Sequence, residues 1–190
     1  MTADCRFLGL TEIPKDLPVD VTELDVGYND ITTLYNDSFT GFPALTTLQA
    51  SFNYMVHIEV AAFYTMPDLQ ELVLNHNALQ DLADNLFLYM SIAQFMLKGN
   101  KIKVLQDQVF MYLNNTLLLS GNVLDDMHSE TFSNMTALTK LALDDCDITY
   151  LHPDIFSNLT SLQYLFLHDN KIKKLDPHHF INLISVIEIL

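Results

Sequence analysis

The chain is predicted to fold as a repeat solenoid of the α/β type, a horseshoe with a parallel concave sheet and an irregular, Phe-filled convex side. Three observations predict it. Seven phenylalanines, Phe39, Phe63, Phe87, Phe110, Phe132, Phe156 and Phe180, recur every 22 to 24 residues. Each holds the same place in one template, L-x-x-L-x-L-x-x-N-x-L-x-x-L-x-x-x-x-F-x-x-L-x-x. The ninth position reads Asn29, Asn53, Asn77, Asn100, Asn122, Cys146 and Asn170. Repetition at such a period marks a solenoid, because no single unit can bury its apolar face alone and stacked neighbours make the core.

The elements follow in chain order. Residues 1–20 read as a partial N-terminal cap, residues 21–185 as seven repeats starting at Val21, Leu45, Leu69, Ile92, Asn114, Leu138 and Leu162, and residues 186–190 as the start of an eighth. Within a repeat, positions 4 and 6 point inward from a short strand, while positions 3, 5, 7 and 8 point to solvent. The position-nine side chain stands where the chain leaves the strand, ready to bond backbone groups inside the coil. Positions 11 and 14 are apolar throughout, from Ile31 and Leu34 to Ile172 and Leu175, and position 22 runs Phe42, Met66, Met90, Leu113, Met135, Leu159, Leu183. About seven residues per coil are therefore expected inside, with the Phe filling the back.

This pattern resembles the extracellular "typical" leucine-rich repeat family of Toll-like receptors, Slit-type guidance proteins, small matrix proteoglycans and some hormone-receptor ectodomains. The segment 5–20, CRFLGLTEIPKDLPVD, is similar to the last part of that family's N-terminal cap, where a final cysteine precedes a strand reading G-L-T-x-I-P. The resemblance implies that Cys5 is half of a disulfide whose partner lies upstream. Cys146 is a poor partner, since five repeats at ~4.8 Å of strand spacing exceed the ~7 Å reach of a bridge. Cys146 is expected to be a buried, inert thiol. The first ten residues, MTADCRFLGL, do not read as a signal peptide. The expectation is a chain truncated at both ends, with a secretion signal upstream and further repeats downstream. Four N-x-S/T sequons, at Asn36, Asn114, Asn134 and Asn158, support an extracellular glycoprotein, secreted or an ectodomain of a membrane protein.

Function is sought on the concave sheet, where the backbone is uniform and the side chains vary. Position 5 runs Asp25, Gln49, Val73, Met96, Leu118, Ala142, Phe166, and position 3 runs Glu23, Thr47, Glu71, Gln94, Thr116, Lys140, Tyr164. The first two repeats are polar. From Val73 an apolar stripe is expected, ending in the aromatic pair Tyr164 and Phe166, and such surfaces mark interaction sites. Positions 7 and 8 add Asp144-Asp145 and His168-Asp169. Asp145 and Asp169 share a position in adjacent repeats, so a cation, a basic ligand or water must screen them.

Composition narrows the partners. Acids outnumber bases 24 to 9, for a net charge of −15. That field repels phosphate backbones and steers cationic partners inward. No apolar run reaches the ~18 residues of a membrane span, so no direct membrane contact is expected of this segment. The seven histidines are scattered, and His178-His179 read as exposed loop residues. No phosphate loop, H-E-x-x-H or C-x-x-C occurs, so no cofactor, metal site or enzyme is expected. The resemblance implies a Toll-like receptor ectodomain that binds a protein or microbial ligand or a co-receptor. It leaves open a secreted adhesion, guidance or matrix protein without signalling of its own.

Overall fold

The computed structural model describes residues 1–190 apart from 88–89, 107–108, 111–112 and 125–126. Its main element is a nine-stranded, all-parallel sheet of Thr2–Asp4, Glu23–Asp25, Thr47–Gln49, Glu71–Val73, Gln94–Met96, Thr116–Leu118, Lys140–Ala142, Tyr164–Phe166 and Glu188–Ile189. Sequence order is sheet order, so each connection is one turn of the solenoid. Leu24, Leu48, Leu72, Phe95, Leu117, Leu141 and Leu165 stand in register across it, one per repeat. On the back, Thr33–Leu34 pairs with His57–Ile58, and among the described residues the only helical element is a 3-10 turn at Pro177–Phe180.

The asparagine ladder binds the coils together. The Asn53 amide donates to Val26 O (3.0 Å) and Ala50 O (3.2 Å), while its Oδ1 accepts from Ile31 N–H at 3.1 Å. Asn77 repeats the set on Ala50, Leu74 and Met55. One side chain thus satisfies buried backbone groups of two coils, which would otherwise be costly orphans. At Cys146 the ladder adapts: Sγ reaches Leu119 O at 3.2 Å, and Leu124 N–H donates to the Cys146 carbonyl instead.

Behind the sheet, Phe39, Phe63, Phe87, Phe110, Phe132 and Phe156 are buried. Consecutive rings stack, with centroids 6.0 Å apart for Phe39–Phe63 and 5.7 Å for Phe63–Phe87. The stack changes in the shortest repeat, 92–113. There Phe95 replaces the usual leucine, and its ring reaches edge-on to Phe87 at 4.7 Å and Phe110 at 6.0 Å.

Three expectations are corrected. Leu175 is 49% exposed and Ile172 half-buried, because an inward set is covered only by the coil stacked on it. His179 is buried, not an exposed loop residue. Its Nε2 lies 3.1 Å from Leu151 O, and its Nδ1 accepts from Asp176 N–H at 2.8 Å, closing a capping box on the 3-10 turn. The cap strand lies before Cys5, at Thr2–Asp4, and residues 9–14 form no strand. Phe7 has a φ of 58°, which ends the strand, and Asn29 Oδ1 then accepts from Leu8 and Leu10 N–H. Cys5 is thereby placed inward, in the core beside Val26.

Candidate interaction surfaces

The concave candidates lie on strands whose register fixes their neighbours. Thr116, Lys140 and Tyr164 form one row, and Leu118, Ala142 and Phe166 the next. The Lys140 ammonium stands 5.4 Å from the Phe166 ring centroid, within cation–π range. Small Ala142 is buried between longer Leu118 and Phe166, which, like Met96, Lys140 and Tyr164, are half-buried. Val73 departs from expectation. It is only 5% exposed, flanked by Gln49 and Met96, so the stripe opens at Met96.

At the rim, Ser120 Oγ donates to Asp144 Oδ1 at 2.7 Å. His168 Nδ1 lies 2.9 Å from Asp169 Oδ2, and its Nε2 lies 4.0 Å from Asp144 Oδ2. The imidazole thus stands between carboxylates of two repeats, and Asp145 remains exposed beside them. Among the described residues no three His, Cys, Asp or Glu side chains converge as a metal ion requires. The other end of the face is polar: a hollow of about 340 Å³ is lined by Thr2, Glu23, Asp25, Thr47, Gln49 and Glu71.

Three further groups are shaped by their surroundings. The Arg6 guanidinium, bonded to Asp4 at 2.8 and 2.9 Å, holds that carboxyl at about 2. Burial pushes the Cys146 thiol up to about 11 and raises Cys5 as well, so both favour the neutral form. The sequon residues Asn36, Asn114, Asn134 and Asn158 are all exposed, at positions 16, 1, 21 and 21 of their repeats.

One surface escaped the sequence reading. Phe7, Tyr28, Phe52 and His76 stack face to face along the edge where the chain leaves the strands, with centroids 4.6, 4.5 and 4.5 Å apart. All four have φ between 54° and 58°. A left-handed backbone costs a residue with a Cβ roughly 1–2 kcal/mol, and each ring pair offsets about 0.5–1.5 kcal/mol of that. The ladder stops at Gly99, where a Cβ would come within 2.6 Å of His76 Nδ1. The available signal was three consecutive aromatic or imidazole rings at position 8, a site that favours glycine or asparagine.

Comparison with known proteins bears on the whole array. The Leucine rich repeat model matches residues 91–148 and 136–188, and the BspA type Leucine rich repeat region model matches residues 21–117. The chain belongs to the leucine-rich repeat family. It is 34% identical to Tsukushi-A of Xenopus laevis over 103 residues, covering 53% of this chain and 29% of that protein. It is 38% identical to Toll-like receptor 3 of Bos taurus over 68 residues, covering 36% of this chain and 8% of that protein. A Gallus gallus Tsukushi aligns over 69% of the chain at 26% identity. The chain therefore spans about a third or less of these relatives. They place it among extracellular leucine-rich repeat proteins, and the repeat family is a protein-interaction module.

Proposed function

We propose that this segment is the recognition module of a Toll-like receptor-type ectodomain, binding a protein or microbial ligand on the concave face of its fourth to seventh repeats. Residues 1–20 serve as a partial cap, 21–185 as seven repeats, and 186–190 open an eighth. The carrying observation is the Lys140–Tyr164–Phe166 cluster, a cation and two half-exposed rings on adjacent strands. Aromatic side chains of this kind anchor protein interfaces. Met96 and Leu118 extend the apolar area, and Asp144, Asp145, His168 and Asp169 form a polar rim. The module works by binding and receptor assembly and carries out no chemistry. Saturable binding of the soluble chain to cell surfaces tests this. The Tyr164→Ala/Phe166→Ala variant should lose about 30-fold or more in affinity, and unchanged binding would refute it.

A second reading is a secreted adhesion, guidance or matrix protein. It is favoured by the longer alignment with Tsukushi, 53% of the chain against 36% for Toll-like receptor 3. Surface biotinylation of cells expressing the full transcript separates the two. Retention at the membrane supports a receptor, and recovery from the medium supports the secreted protein.

A further inference from the structure

We infer that the stacked ladder Phe7–Tyr28–Phe52–His76, with the exposed carboxylate of Asp30 two residues past Tyr28, is a second interaction surface that takes a cationic protein segment bearing arginine or lysine among apolar side chains. The surface is separate from the concave cluster and does not depend on it.

Burial shows first that the ladder is not core. Phe7 is 69% exposed, Tyr28 45% and Phe52 43%, and Leu8, Tyr54 and Val56 are exposed on the same coils. In the ladder each ring is held by its neighbour, so the edges form a rigid, continuous apolar strip. Contiguous exposed apolar surface of this kind marks an interaction site. The strip is bounded at Gly99, where the aromatic series gives way to glycine and then to Asp145 and Asp169. No sequon falls on positions 7–12 of any repeat, so the strip is clear of the candidate glycan sites.

Charge selects the occupant. Residues 1–97 hold 13 Asp and Glu against 2 Lys and Arg, so they carry −11 of the net −15. Both bases are engaged: Arg6 between Asp4 and Asp25, and Lys15 with Asp37. Asp30 N–H donates to Leu10 O, which seats it two residues past Tyr28, where it is exposed. A second copy of this chain would bring the same excess of negative charge, and nucleic acid or sulfated glycan would be repelled. Arginine and lysine fit both features, because their aliphatic stems pack on ring edges while their charged heads reach carboxylates.

The test uses the full chain and a fluorescein-labelled peptide of alternating arginine and valine, followed by anisotropy. Comparison peptides replace arginine with glutamate or valine with glycine. The decisive variant is Tyr28→Asn/Phe52→Asn, because asparagine accepts a left-handed backbone and the rings are lost without added strain. Saturable binding of the arginine–valine peptide is expected. It should fall at least about tenfold in the double variant, as loss of aromatic anchors predicts, with little change in melting temperature. It should also fall in Asp30→Lys, an exposed substitution that leaves the ladder intact, and hold in Phe166→Ala. Equal binding by the double variant would reduce the effect to general acidity and overturn the proposal. So would failure of the peptide to bind, tighter binding of heparin or duplex RNA, or ladder-dependent self-association in sedimentation.

Discussion

Lys140 and Phe166 meet diagonally across neighbouring strands, the ammonium 5.4 Å from the ring centroid, with buried Ala142 beneath them. The small residue lets the ring lie where the cation can reach it. The pair therefore depends on the parallel register, which sets Lys140 beside Tyr164 and Ala142 beside Phe166.

Replacing Tyr164 and Phe166 with Ala should weaken ligand binding by about 2 kcal/mol or more if they anchor the interface. Both are half-buried on the sheet surface, so folding should change little. Equilibrium binding and urea melts of the same preparations separate the two effects. A large loss of stability would assign the pair to the core.

Asn77→Ala should be among the most damaging polar substitutions. It leaves Met55 N–H without its acceptor in the interior, while Ala50 O and Leu74 O each lose one of two amide donors and keep Asn53 and Asn100. A buried orphan costs about 1–3 kcal/mol, so a loss of about 1–3 kcal/mol is expected in urea unfolding. A loss below about 1 kcal/mol would mean that water replaces the amide.

Phe132→Ala should cost about 3–5 kcal/mol, as the ring is fully buried and stacked 6.4 Å from Phe156. Phe180, only partly buried, should cost less. Denaturant melts compare them directly, and a stable Phe132→Ala protein would contradict the inward assignment.

The thiols predict a pH dependence. Burial raises the Cys146 pKa to about 11, above the ordinary value of 9.0. The unfolded chain loses its proton first, so the contribution is fully present below about pH 9 and declines as pH rises toward 11. Native protein should accordingly react slowly with a thiol reagent at neutral pH, and fast labelling of Cys146 would disprove its burial.

The ladders of Leu, Asn and Phe were legible in the sequence because an inward position is fixed by the repeat period alone. Exposure at position 5 is not fixed in that way. Val73 is buried by Gln49 and Met96, which belong to other coils 23 or 24 residues away. His179 is hidden for a similar reason, since its carbonyl partner Leu151 lies in the preceding repeat. The stacked rings at Tyr28 and Phe52 run against local propensity, because a left-handed backbone does not favour aromatic residues. Their stacking is a tertiary relation, visible only once the coils are laid one on another.

The most direct measurement is photo-crosslinking from single positions of the chain bound to its target cells. A benzoylphenylalanine at Phe166 should yield a discrete crosslinked partner, competed by unlabelled chain, while one at Tyr150, exposed beyond the strand edge, should not. Crosslinks from Tyr150 with none from Phe166 would contradict recognition through the concave face.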